Sequence, residues 1–291
     1  MGGGPSREEV DELRDDMIST FDSQRILLFG RYGAGKSSII NTFNHVTNLV
    51  QHDVKQIAAI AEEGSSEADT KTRCYTVYGT NTAEAMYEYL KESKIGELRT
   101  LFTKAPEFID TPGIPPSVDR KLEMMAFYKK ALKGDVATGF NLQEYYKSVN
   151  EKYSGRDTDG HKTMSIEPAS EAAKKPWAVV AVLAAQSTDD KNTTQLAFLN
   201  DLKKANDSLN QGTRIFVVFT HSDESGLNES RKEALKKRAA NALNCSHGYI
   251  FFFDNYKIGE GDERDLAKEK AVITAFNEIL ALCNKPKNYE D

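Results

Sequence analysis

Cysteine is scarce: three in 291 residues, at Cys74, Cys245 and Cys283, with no CxxC pair among them. That excludes a disulfide framework and a cysteine-rich zinc site, and it fits a reducing compartment. The five histidines form no HExxH motif, which removes the commonest helical zinc site. Long apolar runs are missing as well. None approaches the roughly 20 residues that a membrane-spanning helix needs. No secretory leader is legible at the start, so the expectation is a cytoplasmic protein. Basic charge is also short: 38 Lys and Arg against 44 Asp and Glu leave a net charge of −6. No global positive field draws the chain to nucleic acid.

What is present is an ordinary globular balance, 28% charged and 39% apolar residues, in a chain long enough to bury a sizeable core. The opening "MGGGPS" fits a myristoylation pattern on Gly2 with Ser6. The plainer reading is a flexible glycine tail or an expression remnant. The acidic "REEVDELRDD" that follows offers no basic patch, so membrane contact is expected only if Gly2 is acylated.

Along the chain, strand-like and helix-like patterns alternate. Ser6 caps a helix to about residue 20, with Val10, Leu13 and Met17 on one face. "QRILLFG" reads as a buried strand, residues 36–46 as a helix, and "RCYTVYGT" as an alternating strand. Asn81 with Glu84 resembles a capping box for a helix over 82–92. "PEFIDTPG" is a short strand entering a turn, 119–133 an amphipathic helix closed by Gly134, and 145–175 a polar, irregular insertion. Strands "WAVVAVLAA", "TRIFVVFTHSD" and "GYIFFFDNY" are then separated by helices over 192–209 and 228–243, and a last helix covers 263–284. The expected fold is α/β: a mostly parallel central sheet covered by helices on both faces. The expected organisation is a tail and helix over 1–22, one domain over 23–284 with its insertion, and a tail over 285–291.

"GRYGAGKS" satisfies G-x-x-x-x-G-K-[ST] between a strand and a helix, the context a phosphate loop requires. Gly30, Arg31, Tyr32, Gly33, Ala34 and Gly35 form the loop, whose N–H groups can curl around phosphate oxygens. The helix that follows turns its positive end toward the same anion. Lys36 reaches the β- and γ-phosphates, Ser37 offers a hydroxyl to Mg²⁺, and Ser38 sits in the first helical turn. Asp110, ending the apolar strand of "FIDTPG", supplies the acidic partner of the metal. Gly113 can donate its N–H to a γ-phosphate. A threonine between these motifs should complete the magnesium shell; Thr70 is favoured, with Thr72 second. Such a loop, held by a γ-phosphate and released by hydrolysis, is a switch.

The base is read from "VVFTHSDES". An apolar strand delivers Thr220, His221 and Asp223 at its tip. Guanine presents N1–H and N2–H₂ as adjacent donors, and one carboxylate accepts both. Adenine has an acceptor at N1 and would face Asp223 with a lone pair. His221 can lie against the base. After the next strand, Asn255 either hydrogen-bonds the base or merely opens a turn, and Tyr256 either packs on the base or does not. Ligands sit at the carboxyl ends of strands in such sheets, which places both near the pocket.

In this order, "GRYGAGKSS", "DTPG" and "THSD" resemble a translation-factor-class GTPase domain. The THxD form is similar to the interferon-induced protein 44 family and, more distantly, to plastid outer-envelope and immune-associated GTPases. "ALKGDVATGFNL" and "DNY" resemble that family's segments after switch II and after the last strand. The resemblance runs over about 24–284. It implies GTP or GDP with Mg²⁺ as ligands, pairing of two copies across the nucleotide face, and an innate-immune setting. The chain departs from the family at Arg31 and Tyr32, in the helix after "TVYGT" and in the long 145–175 segment.

Efficient small GTPases place a water-orienting glutamine just after the Asp-x-x-Gly turn. Here Ile114 follows Gly113, so slow intrinsic hydrolysis is expected, with a catalytic group supplied in trans. Arg31 is either an arginine finger or a surface ion-pair partner. Beside the slow GTPase stand two other readings: a nucleotide-holding assembly scaffold with little turnover, and a P-loop ATPase.

Overall fold

The computed structural model describes residues 4–47, 76–78, 104–114, 121–137, 139–142, 175–185, 193–210, 212–222, 226–256 and 265–284. Apolar runs that are buried on both faces make the central strands. β1 (Arg25–Gly30) is buried from Ile26 onward, and β4 (Ala178–Ala184) is buried throughout. With β2 (Thr76–Tyr78), β3 (Glu107–Asp110), β5 (Arg214–Thr220) and β6 (Ile250–Phe252) they form one sheet in the order β2-β3-β1-β4-β5-β6. β3, β1, β4, β5 and β6 run parallel, and β2 is an antiparallel edge on β3. This is the mostly parallel α/β sheet expected of a P-loop G domain.

Alternation along each strand sends neighbouring side chains to opposite faces. Ile26, Leu28, Val180 and Val218 pack under α1 (Arg7–Ser19), α2 (Lys36–Thr47) and α6 (Leu266–Asn284), meeting Met17, Ile39, Phe43 and Phe276. Leu27, Phe29, Val179 and Val217 pack under α3 (Lys121–Lys133), α4 (Thr193–Asp207) and α5 (Glu229–Leu243), meeting Phe127, Tyr128, Leu199 and Leu235. Each such side chain contributes about 1.5–3 kcal/mol when fully buried, so these two layers dominate the fold's stability. No helix among the described residues is long and apolar enough to cross a membrane.

Local chemistry sets the helix ends. The Ser6 hydroxyl accepts the Glu9 N–H at 3.2 Å, and Asn228 accepts that of Arg231 at 2.9 Å. Asn244 closes α5 in the left-handed region, as short amide side chains do at helix ends. α1 is fastened by a buried ion pair: Arg14 Nη2 lies 3.1 Å from Glu269 of α6, while Arg14 Nε donates to the Val46 carbonyl at 2.6 Å. One expectation is shortened. The segment from Gly248 does not begin as strand; Ser246 caps a single 3₁₀ turn over His247–Tyr249, and β6 starts at Ile250. A serine hydroxyl that accepts the Gly248 N–H competes with ladder pairing there. The proposed helix over 82–92 and most of the 145–175 insertion lie outside the described residues.

Candidate functional site

The parallel register brings the carboxyl ends of β3, β1, β4 and β5 to one edge of the sheet. Leu28 pairs with Asp110, Gly30 with Val182, and Ala184 with Thr220. β1 leads into α2 on one face of the sheet, while its neighbours β3 and β4 are followed by α3 and α4 on the other, so a crevice opens at its tip, where open α/β sheets hold ligands. The loop over residues 31–35 sits in this crevice.

Gly35 shows why the loop needs glycine. Its φ is +87°, and an added Cβ would lie 2.6 Å from Asn255 Nδ2. Around it the loop is tied from both sides. Thr220 Oγ1 donates to the Ala34 carbonyl at 2.8 Å, and Asn255 Nδ2 donates to the Gly35 carbonyl at 3.3 Å. Gly33, directly before these tied residues, is the exposed part of the turn. Ser38 follows in the first turn of α2, and Ile39 N–H closes that turn on the Gly35 carbonyl at 2.9 Å.

Lys36 is buried and folded back on the loop, its Nζ 3.3 Å from the carbonyls of both Gly30 and Arg31. Burial pushes its pKa down, and nearby Asp110 partly opposes that shift. A desolvated ammonium at a helix N-terminus is a strong anion-binding arrangement. Ser37 Oγ donates to Asp110 Oδ2 at 2.6 Å, and Asp110 is fully buried. A hydroxyl and a carboxylate make an all-oxygen donor pair, which fits magnesium rather than zinc. Among the described residues no group of three or more His, Cys, Asp or Glu side chains stands ready for a metal. Among the described residues, Ser37 and Asp110 are the pair that would hold a magnesium ion here. Thr70 and Thr72, the candidates for a further ligand, lie outside the described residues.

The Asp-Thr-Pro-Gly turn is pinned beside the loop. Thr111 Oγ1 donates to the Leu28 carbonyl at 2.8 Å, and Ile114 N–H donates to the Gly30 carbonyl at 3.1 Å. Arg31 and Ile114 form a parallel bridge. Tyr32 packs on Gly113: a Cβ at Gly113 would meet the Tyr32 ring and would lie 2.9 Å from Tyr32 Cα. Ile114 itself points into the α3–α4–α5 core at 3% exposure. Arg31 is half-buried. Desolvation lowers its guanidinium pKa, while Tyr128 of α3 acts in the opposite sense.

On the base side, Thr220 is buried at the tip of β5 and His221 follows in the left-handed region, φ +56°. Asp223 lies outside the described residues. Asn255 is engaged at both ends of its amide, with Gly35 through Nδ2 and with Thr42 Oγ1, which donates to Oδ1 at 3.3 Å. Tyr256 N–H donates to the same hydroxyl at 2.9 Å. The Tyr256 ring lies against His45 with centroids 4.2 Å apart, and Lys268 Nζ stands 4.9 Å above it. The structure thus gathers Gly30 to Ser38, Asp110, Gly113, Thr220, His221 and Asn255 around one crevice and turns the Tyr256 ring toward α2 and α6.

Two participants were not found by sequence reasoning. Thr42 lies one turn beyond the phosphate-loop motif, where a threonine has no signature. Asp254 accepts the N–H of Ser222 at 2.5 Å and its hydroxyl at 2.7 Å. Its only signal was an acidic residue at a strand tip, the same signal that singled out Asp110.

No protein-family model and no curated protein matches the chain. Among solved structures it is similar to the signal recognition particle receptor SRb-GTP/SRX complex from Chaetomium thermophilum, at 16% identity over 75% of this chain and 78% of that one, TM-score 0.36. It is similar to an ADP-ribosylation factor-like GTP-binding protein, the small COPII coat GTPase SAR1 of Encephalitozoon cuniculi in complex with GDP, at 11% identity over 94% and 86%, TM-score 0.36. It is similar also to the S. cerevisiae Ski7 GTPase-like domain bound to GTP, at 12% identity over 94% of this chain and 53% of that one, TM-score 0.43. Likeness at this level assigns no activity to the chain.

Proposed function

We propose that the chain binds a guanine nucleotide with magnesium and hydrolyses GTP slowly. One observation carries this reading: the glycine loop from Gly30 to Ser37 brings a buried lysine and a serine–aspartate pair together at the tip of β1. Lys36 is buried against the loop's own carbonyls, and Ser37 meets the strand-end Asp110 at 2.6 Å. Lys36 contacts the β- and γ-phosphates, and Gly113 N–H the γ-phosphate. Ser37, Asp110 and Thr70 or Thr72 hold the magnesium, which would neutralise charge on the phosphates. Asp223 accepts guanine N1–H and N2–H₂, with His221 against the base. The sequence resemblance to the interferon-induced protein 44 family supports the same nucleotide, and an innate-immune setting is part of the proposal.

The slow rate rests on Ile114. An apolar side chain buried in the core orients no water, so a group in trans is required for speed. A second copy across the nucleotide face is the proposed source. Arg31 serves as a finger only if it leaves its half-buried place near Tyr128. The buried Ile114 equally favours a second reading, a GTP- or GDP-dependent assembly scaffold with little turnover.

Calorimetric titration with GTP, GDP and ATP tests the nucleotide. Tighter GTP and GDP binding supports the proposal, and tighter ATP binding refutes it. Phosphate release measured against protein concentration separates enzyme from scaffold. Turnover that rises with concentration supports pairing, and no release above background at any concentration removes the enzyme reading.

A further inference from the structure

Two threonines of α2 use their hydroxyls differently. Thr47 bonds back to the Phe43 carbonyl at 2.9 Å, a common habit of helical threonines. Thr42 does otherwise: its oxygen accepts the Tyr256 N–H at 2.9 Å, and its proton goes to Asn255 Oδ1 at 3.3 Å. A backbone N–H can only donate and a hydroxyl has one proton, so the polarity of this chain is fixed. It leaves the Asn255 NH₂ facing the Gly35 carbonyl at 3.3 Å. That carbonyl also takes the Ile39 N–H at 2.9 Å, and one residue earlier the Ala34 carbonyl takes the Thr220 hydroxyl at 2.8 Å. In a trans peptide the N–H points opposite to the C=O. Holding these two carbonyls therefore turns the Gly35 and Lys36 N–H groups away from Thr220 and Asn255. Neither makes a backbone hydrogen bond among the described residues. Gly35 at φ +87°, followed by helical Lys36, is the kind of alternation that converges successive N–H groups on an anion.

We propose that Asn255 is a positioning residue for the phosphate loop, oriented by Thr42. By holding the Gly35 carbonyl it keeps the Lys36 N–H aimed at the bound phosphates. This role rests on the phosphate-binding part of the reading above and needs no contact between Asn255 and the base. A tie that only stabilised the fold would change the melting temperature and leave phosphate affinity alone. A contact to the base would change nucleotide affinity and leave the binding of inorganic phosphates alone.

The test uses the full chain, with tripolyphosphate and GDP as calorimetric probes in magnesium buffer. Asn255→Ala is expected to lower both affinities by a similar factor, about fivefold, the size of one neutral hydrogen bond. Thr42→Val removes the hydroxyl that orients the amide and should lower both in the same direction. Thr42→Ser keeps the hydroxyl and should keep the parent's affinities. Because the two residues act through one carbonyl, Thr42→Val combined with Asn255→Ala should bind no more weakly than Asn255→Ala alone. Thr42→Val decides the matter if Asn255→Ala does not fold. An Asn255→Ala protein with the parent's tripolyphosphate affinity overturns the role, as does a loss confined to GDP or losses that add in the double variant. A parent protein that binds neither probe overturns the phosphate-loop reading and this role together. One that binds both, with variants that match it, overturns the role alone.

Discussion

The Ser37 hydroxyl donates to Asp110 Oδ2 across 2.6 Å, joining two motifs 73 residues apart in sequence. The end of β3 is thereby fastened to the first turn of α2, and these are the two oxygen donors to which the proposal assigns magnesium. Ser37→Ala should abolish the magnesium dependence of nucleotide affinity. It should also cost about 1–3 kcal/mol of stability, since a fully buried carboxylate loses a donor. Titration with and without magnesium, paired with urea denaturation, checks both. Unchanged magnesium dependence would separate Ser37 from the metal.

Lys36 is a buried lysine whose Nζ lies against the Gly30 and Arg31 carbonyls. Its pKa is lowered by burial, so the folded state favours the neutral amine relative to the unfolded chain. The resulting cost to stability is full below the lowered pKa and fades as pH rises toward the ordinary lysine range. Lys36→Met should therefore raise the stability of the free protein at neutral pH while eliminating nucleotide binding. The stability difference between the two proteins should shrink as the solution is made alkaline. Thermal denaturation across pH measures it, and a less stable Lys36→Met protein at neutral pH would contradict the account.

Arg14 and Glu269, 255 residues apart, form the buried pair that seats α1 on α6. Removing Arg14 takes the ion-pair partner from the buried Glu269 carboxylate, whereas removing Glu269 leaves Arg14 its Asp11 and Val46 partners. Arg14→Met should cost about 3–5 kcal/mol, and adding Glu269→Leu should recover most of it. Denaturant midpoints of the single and double variants give the answer. A double variant no better than the single would mean that the pair is worth more than its desolvation.

Thr213 stands just before β5 at 3% exposure, and its hydroxyl makes no hydrogen bond among the described residues. Asn206 Nδ2 donates to the Thr213 carbonyl at 2.8 Å, not to its side chain. Thr213→Val keeps the shape and removes the buried hydroxyl, so stability should be unchanged or higher by about 1 kcal/mol. A clear loss in a melting experiment would show that the hydroxyl is paired in solution.

Much of this site is legible in the sequence because its parts are local. The glycines, Lys36 and Ser37 fall within one strand–turn–helix, and the apolar runs before Asp110 and Thr220 place those residues at strand ends. The ties between these parts are not legible. Asp254 finds Ser222, and Asn255 finds Gly35, only because β6 lies beside β5 and the segment after β6 reaches α2 at Thr42 and His45. No spacing encodes such contacts between segments far apart in the chain. The packing of Tyr32 on Gly113 depends likewise on the bridge between Arg31 and Ile114. The 3₁₀ turn before β6 was hidden for a different reason: "GYIFFF" has strand composition throughout, and the preceding Ser246 decides where pairing starts.

The central claim is that Asp223 selects guanine for the phosphate cradle around Lys36. Titrating Asp223→Asn with GTP and xanthosine triphosphate tests it most directly. Asparagine offers a donor in place of one acceptor, which matches the C2 carbonyl of xanthine and mismatches the 2-amino group of guanine. The account predicts loss of GTP affinity and gain of xanthosine triphosphate affinity. Retained GTP binding, with no gain for xanthosine triphosphate, would contradict it.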